Sequence, residues 1–76
     1  MKIEILGTGC AKCKALEENA KAAIGQIGGF HAVEKVEDMM KIMEYGVMST
    51  PGLVIDGVVK STGKLLTVDE IVNLIG

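Results

Sequence analysis

Cys10 and Cys13 are the two cysteines of this 76-residue chain, and two residues separate them in the stretch TGCAKCKAL, residues 8–16. A pair at this spacing can form a reversible disulfide, bind a soft metal ion, or link two points of the fold. A purely structural link is disfavoured because so short a loop removes little entropy from the unfolded chain. Redox chemistry and metal binding therefore remain as the two chemical interpretations.

The metal interpretation depends on the other ligands that the chain can supply. A closed zinc site needs four ligands, and the chain's only histidine, His31, lies far from the cysteines on a predicted strand. Copper(I) can be held by two thiolates alone, so a copper-carrying domain is the alternative to a redox protein. We interpret the methionines at 39, 40, 43 and 48 as core filler in a chain poor in aromatic residues.

The cysteine pair stands where a predicted strand passes into a predicted helix. Polar and apolar residues alternate over Lys2 to Leu6, which predicts a strand, and residues 7–9 predict a turn. From Cys13 to Ile27 apolar residues recur at helical spacing, and the glycines at 28 and 29 end the helix. The CxxC motif is therefore expected at the start of a helix.

This position makes the two sulfurs unequal. Cys10, at the start of the helix, faces unsatisfied N–H groups and the positive end of the helix dipole, which favour its thiolate. Cys13 lies on the apolar stripe and is turned inward. Lys12 and Lys14 add positive charge nearby, although solvent screens most of it. In a redox cycle we therefore expect Cys10 to attack and Cys13 to resolve.

The remaining elements follow from periodicity and turn residues. We predict a strand over residues 30–36, a helix over 37–45 with an apolar methionine face, and a hairpin at Asp56-Gly57. The last helix is predicted to start at Thr67, with Glu70 completing a capping box. The order β-α-β-α-β-β-α predicts one α/β domain over residues 1–76, with a four-stranded mixed sheet and helices on both faces.

Composition narrows the choice of partners. The formal net charge is −2 with both signs interspersed, so there is no basic patch for nucleic acid. The apolar stretch at the N-terminus is too short for a signal peptide or a membrane span. We expect a cytoplasmic monomer that binds neither nucleic acid nor membrane.

Two motifs carry a resemblance to a known family. GTGCAKC, residues 7–13, and STPGLVIDGVV, residues 49–59, resemble those of small thioredoxin-like, glutaredoxin-sized proteins called redox-active disulfide proteins. The resemblance implies a minimal thioredoxin fold and a thiol–disulfide oxidoreductase whose redox group is the Cys10–Cys13 disulfide, with no other cofactor. It also implies disulfide-containing protein substrates and an electron donor of the thioredoxin-reductase type.

The resemblance also implies roles for residues outside the CxxC motif. Pro51 would follow a cis peptide bond and pack beside the sulfurs, while the backbone of Thr50 would pair with the substrate. We also expect the substrate to be held by the backbone of Thr50 and Pro51 and by the small-residue loop of residues 7–9, where Gly9 leaves the attacking sulfur accessible. Glu4 stands six residues before Cys10, where thioredoxins carry a buried acid that assists proton transfer. A solvated strand face explains Glu4 equally well, so its role stays open.

The sequence differs from the resembled families at several positions, and two other functions are alternatives to the redox interpretation. Ala11 and Lys12 between the cysteines match neither thioredoxins nor glutaredoxins, and the weak match of Thr62-Gly63-Lys64 to a glutathione-binding turn disfavours glutathione. Heavy-metal-associated copper domains carry a methionine where Thr8 stands, and they end on a strand, which favours the redox interpretation. A non-catalytic interaction module that binds through the hairpin edge is the third possibility.

Overall fold

Within the residues that the structure describes, seven elements follow one another in the predicted order. A computed structural model describes residues 1–9, 11–29 and 31–75 of the chain. The elements are β1 (Lys2–Leu6), α1 (Ala11–Ile27), β2 (Ala32–Val36), α2 (Met39–Glu44), β3 (Gly52–Ile55), β4 (Val58–Thr62) and α3 (Val68–Ile75). The predicted order and the α/β fold class are confirmed.

The four strands form one mixed sheet in the order β2-β1-β3-β4. β1 is parallel to β2 and antiparallel to β3, and β3 is antiparallel to β4. Leu6 at the end of β1 is opposite Gly52 at the start of β3. The segments that follow β1 and precede β3 therefore meet at the same end of the sheet.

The core is divided by the sheet into two parts. On one face, Ile3 and Ile5 of β1 pack with Leu16 of α1 and Ile71 of α3. On the other face, Leu6 and Val54 pack with Ile42 of α2 and with Val47. Because side chains alternate along a strand, β1 and β3 contribute to both parts. The helices thus cover both faces, as the sequence predicts.

α1 is positioned by a buried stripe that begins with a cysteine. Cys13, Leu16, Ala20 and Ala23 are buried along one side of the helix. The side chain of Lys21 lies 3.8 Å from that of Glu17, in an i,i+4 pair. After Ile27 the chain turns at Gly28, whose φ of +79° belongs to the left-handed region. The first turn of α1 is thereby held beside the end of β1.

α2 differs from its prediction in length and in the residues that it buries. It spans Met39–Glu44, with Asp38 as its N-cap and Tyr45 as its C-cap. Ile42 is its only buried residue, whereas Met39, Met40 and Met43 are exposed. The interpretation of these methionines as core filler is wrong, because so short a helix reaches the sheet along one narrow face.

The hairpin has the predicted turn. Asp56 and Gly57 both have positive φ, +50° and +82°, as a type I′ turn requires. The backbone N–H of Lys2 donates to Asp56 Oδ1 over 2.8 Å, which joins the turn to the start of β1. The register of β3 and β4 shifts between Leu53 and Val54, leaving Lys60 as an extra residue on β4.

α3 begins with the predicted capping box. The Thr67 N–H donates to Glu70 Oε1 over 3.0 Å, and the Glu70 N–H donates to Thr67 Oγ1 over 3.2 Å. Among residues 1–9, 11–29 and 31–75, no helix combines the length and the hydropathy that crossing a membrane requires.

Candidate active site

The candidate site lies where the end of β1, the start of α1 and the start of β3 come together. The Gly7 N–H donates to the Val36 carbonyl over 3.0 Å, so β2 fixes the backbone just after β1. α1 begins at Ala11, four residues later. Cys10, the predicted nucleophile, is outside the described residues.

Cys13 is buried against a glycine. Only 2% of its surface is exposed. A Cβ atom added to Gly7 would overlap Cys13 Sγ and would lie 3.1 Å from Cys13 Cβ. Gly7 thus provides the space for the sulfur, a role that the prediction of a simple turn at residues 7–9 did not contain. A glycine directly between a strand and a CxxC motif is the signal for such a close approach.

The loop before β3 meets Cys13 at the same glycine. The Thr50–Pro51 peptide bond is cis. Thr50 is exposed and Pro51 is buried. The Cβ of Thr50 would lie 3.9 Å from a Cβ added to Gly7. Thr50 and Cys13 therefore both lie beside Gly7, although 37 positions separate them in the sequence.

A backbone hydrogen bond joins this loop to the residue that follows β4. The Gly63 N–H donates to the Pro51 carbonyl over 2.8 Å, just beyond the end of β4. Gly63 has a φ of +69°, and a Cβ added there would lie only 3.0 Å from Ser49 Cβ. The loop and the segment after β4 are thus closely packed.

The other predicted residues near the CxxC motif are at the surface. Gly9 is half-buried with a φ of +86°, and a Cβ added to it would meet no atom within 4 Å. Lys12 and Lys14 are exposed on the first turn of α1. Gly9 therefore needs its backbone conformation, while the two lysines are screened by solvent.

Glu4 is buried under α2 rather than solvated. It is 8% exposed and shares the face of β1 that carries Leu6. The Tyr45 hydroxyl donates to Glu4 Oε1 over 2.8 Å. This hydrogen bond is the main cause of the raised pKa of Tyr45, and burial and the negative charge of Glu4 raise it further. The alternative of a solvated strand face is wrong, and Tyr45 is a partner that sequence reasoning missed.

The surroundings of Glu4 form a shallow charged cavity. Lys2, Lys41, Glu44 and Tyr45 line it together with Glu4, and its volume is about 420 Å³. Lys2 Nζ lies 3.0 Å from Glu34 Oε2 on the neighbouring strand. The hydrogen bond to Glu34 raises the pKa of Lys2, and the negative charges of Glu34 and Glu4 add to the effect. The buried carboxylate thus lies in a polar environment on the α2 side of the sheet.

His31 lies away from the candidate site. It precedes β2 rather than belonging to it, so its predicted position on a strand is wrong. Its Nε2 lies 3.0 Å from the Gly28 carbonyl oxygen, near the end of α1 opposite to Cys13. His31 therefore has a local structural partner.

The sheet order, the helices on both faces and the cis-proline loop beside a buried CxxC cysteine define a protein of the thioredoxin-like α/β class. A family model described as a thioredoxin domain matches residues 1–76. A Methanothermobacter thermautotrophicus protein named thioredoxin is 41% identical over 75 residues, which cover 99% of this chain and 97% of that protein. A Methanocaldococcus jannaschii protein, also named thioredoxin, is 42% identical over 69 residues, covering 91% of this chain and 79% of that protein.

The chain therefore belongs to the thioredoxin family. This relationship supports a role in thiol–disulfide oxidoreduction. The observed element order ends on α3, whereas the heavy-metal-associated copper domains considered above end on a strand.

Proposed function

We propose that the protein reduces disulfides of other proteins through a dithiol–disulfide cycle of Cys10 and Cys13. The observation that carries the proposal is the packing of buried Cys13 against Gly7, beside Thr50 and the cis-proline. A buried second sulfur is protected from solvent and from a bulky substrate, as a resolving cysteine must be. Membership of the thioredoxin family supports the same assignment.

The first step is attack on the substrate. The Cys10 thiolate attacks one sulfur of the substrate disulfide, and the substrate S–S bond breaks as the Cys10–substrate disulfide forms. The other substrate sulfur leaves as a thiolate and takes a proton from solvent. The exposed lysines of the first helical turn, Lys12 and Lys14, add a modest positive potential that favours the Cys10 thiolate.

The second step releases the substrate. The Cys13 thiol gives its proton to solvent and the resulting thiolate attacks Cys10 Sγ. The Cys10–Cys13 disulfide forms as the mixed disulfide breaks, and the second substrate sulfur leaves as a thiolate that takes a proton from solvent. Two electrons have then passed to the substrate, which leaves with two thiols. An electron donor of the thioredoxin-reductase type returns two electrons to the protein. We place this cycle in the cytoplasm, where thiols are kept reduced.

The loop before β3 is the proposed contact for the substrate backbone. Thr50 is exposed beside Gly7, while Pro51 is buried and its carbonyl is already bonded to Gly63. An extended substrate segment can therefore pair with the backbone of Thr50, next to the reacting sulfurs. Gly9, which carries no side chain, leaves room for the same segment on the other side.

The proposal is tested by catalysis of insulin-disulfide reduction with dithiothreitol. The wild type should accelerate the reaction, whereas Cys10→Ser and Cys13→Ser should not sustain it. Ala11→Ser, which adds a hydroxyl group in the same turn but keeps both sulfurs, is the matched control and should stay active. An inactive wild type that binds one copper(I) ion tightly per chain would instead establish the copper carrier.

The roles of the two sulfurs are tested by trapping and alkylation. Cys13→Ser should accumulate a mixed disulfide with the substrate, because the resolving sulfur is missing. In the reduced wild type, iodoacetamide should modify Cys10 first, since Cys13 is only 2% exposed. Faster modification of Cys13, together with a trapped adduct in Cys10→Ser, would reverse the two roles.

A further inference from the structure

Several methionines are at the surface near the candidate site. The exposed fractions are 56% for Met39, 67% for Met43 and 97% for Met48. Large apolar side chains clustered at a surface commonly mark an interaction site. Their exposure therefore calls for a function other than filling the core.

Three of these methionines line one cleft. Met39, Met43, Gly46, Val47 and Met48 surround a cavity of about 440 Å³, which we call the methionine cleft. None of these five residues carries a charge. Met39 and Met43 are one helical turn apart on α2, so their side chains extend from the same side of the helix. The cleft is thus suited to an apolar group.

The methionine cleft is continuous with the loop that carries Thr50. Met48 is two residues before Thr50. Val47, which is buried, packs with Leu6 at the end of β1, and a Cβ added to Gly52 would lie 3.3 Å from Val47 Cγ1. One residue of the cleft, Val47, therefore contacts the last residue of β1 and the first residue of β3, which are the chain neighbours of Gly7 and Pro51.

We infer that the methionine cleft binds an apolar side chain of the disulfide substrate, about two residues from the reacting cysteine. This inference rests on the proposed function. An extended chain rises about 3.3 Å per residue and returns to the same face every second residue. A segment paired with Thr50 therefore brings a side chain near Met48. Methionine side chains are flexible and polarizable, so the cleft can adapt to different aliphatic or aromatic groups.

The inference predicts a substrate class. The protein should prefer disulfides in extended or unfolded segments with bulky apolar residues near the cysteine. Two octapeptides test this, each with a central cysteine linked to cysteamine and with either leucine or serine two positions from the cysteine on both sides. Bis(2-hydroxyethyl) disulfide, which cannot reach the cleft, reports the basal reaction.

The variants are a triple substitution and a matched control. Met39→Gln, Met43→Gln and Met48→Gln together make the cleft polar with little change in side-chain length or helix propensity. Met40→Gln changes a methionine of α2 that is 69% exposed but does not line the cleft. Wild type and Met40→Gln should prefer the leucine peptide in kcat/KM by about tenfold, as one aliphatic side chain commonly provides. The triple variant should lose most of that preference and retain its activity on the small disulfide.

An equal rate for both peptides in the wild type would overturn the inference, as would a preference that survives in the triple variant. An equal loss of the preference in Met40→Gln would also overturn it, because the effect would not belong to the cleft. A wild type that fails to reduce even bis(2-hydroxyethyl) disulfide would contradict the proposed function, and the inference with it.

Discussion

Gly7 is the point at which the parts of the candidate site meet. Cys13 Sγ occupies the space that a side chain at this position would fill, and Thr50 Cβ lies next to the same space. The Gly7 N–H also donates to the Val36 carbonyl, and this hydrogen bond restrains the backbone at Gly7. Its role is steric, since its φ is not among the positive values of this chain.

Gly7→Ala should therefore destabilise the protein and slow its reaction. The added methyl group forces Cys13 or the backbone to move, and overpacking of this kind costs about 1 to 3 kcal/mol. Urea denaturation should give a lower free energy of unfolding, and insulin reduction should be slower because the resolving sulfur is displaced.

Gly25→Ala is the matched control for this substitution. Gly25 is in α1, and a Cβ added there meets no atom within 4 Å. Alanine should stabilise the helix by about 0.5 to 1 kcal/mol relative to glycine. A Gly7→Ala protein as stable as Gly25→Ala would contradict the packing described for Cys13.

Glu4 and Tyr45 form a second residue pair that can be tested directly. Tyr45 is the chain's only tyrosine and there is no tryptophan, so the absorbance of tyrosinate reports this residue alone. The hydrogen bond to Glu4 raises the pKa of Tyr45 above its ordinary value of 10.0. A titration should give a midpoint above 10.0 in the folded wild type and a lower one in Glu4→Gln. A wild-type midpoint at or below that of the urea-unfolded chain would contradict the hydrogen bond.

The same pair makes stability depend on pH. Because the folded pKa is raised, the contribution is fully present below the unfolded value of about 10 and is lost as pH rises through the folded pKa. Wild type should therefore be more stable than Tyr45→Phe at pH 8, and the difference should shrink at pH 11. Urea denaturation at the two pH values measures this difference.

At the scale of elements, local signals predicted most of the fold. The Asp56-Gly57 turn, the capping box at Thr67 and Glu70, and the strand Lys2–Leu6 are as predicted, because each depends on residues close together in the chain. For the candidate site, the two motifs and the family resemblance predicted the cis peptide bond before Pro51, which the structure has. A glycine between a strand and the CxxC motif indicates a close approach, but the residues that approach Gly7, Cys13 and Thr50, come from distant segments and are brought there only by the fold.

Apart from the position of His31, the predictions that were wrong concern the face covered by α2. Lys2 and Glu4 alternate with isoleucines, which is typical of a solvated strand face, yet Glu4 is buried by Tyr45. The methionines are apolar at helical spacing, yet a helix of six residues presents only Ile42 to the sheet. Periodicity indicates which residues share a face but does not reveal whether another element covers it.

The capping box gives a prediction for α3. The hydrogen bond from the Thr67 backbone N–H is the main cause that lowers the pKa of Glu70 below its ordinary value of 4.5, and the hydrogen bond with the Thr67 side chain lowers it further. Because the folded pKa is lowered, the contribution is present above pH 4.5 and is lost as pH falls through the folded value. Glu70→Gln keeps an acceptor oxygen but cannot titrate, so its deficit in stability at pH 7 should disappear near pH 3.

Thermal denaturation from pH 7 to pH 3 measures this effect. Glu18→Gln, an exposed residue in the middle of α1, controls for the change in net charge. A stability difference between wild type and Glu70→Gln that is independent of pH would show that the carboxylate does not cap α3.

At the scale of the whole molecule, β1 and β3 connect the two parts of the core. The side chains of each strand point alternately to the two faces of the sheet. On one face, Asn19 Nδ2 of α1 also donates to the Leu66 carbonyl, just before α3, over 2.8 Å. A domain of this size has little surplus stability. Loss of packing on one face should therefore unfold both faces in a single transition.

Leu16→Ala tests this cooperativity. Leu16 is fully buried between α1 and the sheet, and its truncation should cost about 2 to 5 kcal/mol. Leu74→Ala, at a residue of α3 that is 41% exposed, should cost less than about 1 kcal/mol. Tyrosine fluorescence from the opposite face and helical circular dichroism should lose signal at the same urea concentration in Leu16→Ala. Separate transitions would contradict a single cooperative unit.

The extra residue on β4 affects the tendency of the protein to aggregate in concentrated solution. β4 and β2 are the outer strands of the sheet, and an outer strand exposes N–H and C=O groups that can pair with a neighbouring molecule. On β4 the extra residue at the register shift is Lys60, which is exposed and charged, and an irregularity of this kind commonly bends its strand. On β2, Glu34 and Lys35 are exposed. These features oppose aggregation through the sheet edges, so concentrated solutions should scatter little light, and Lys60→Val should increase the scattering.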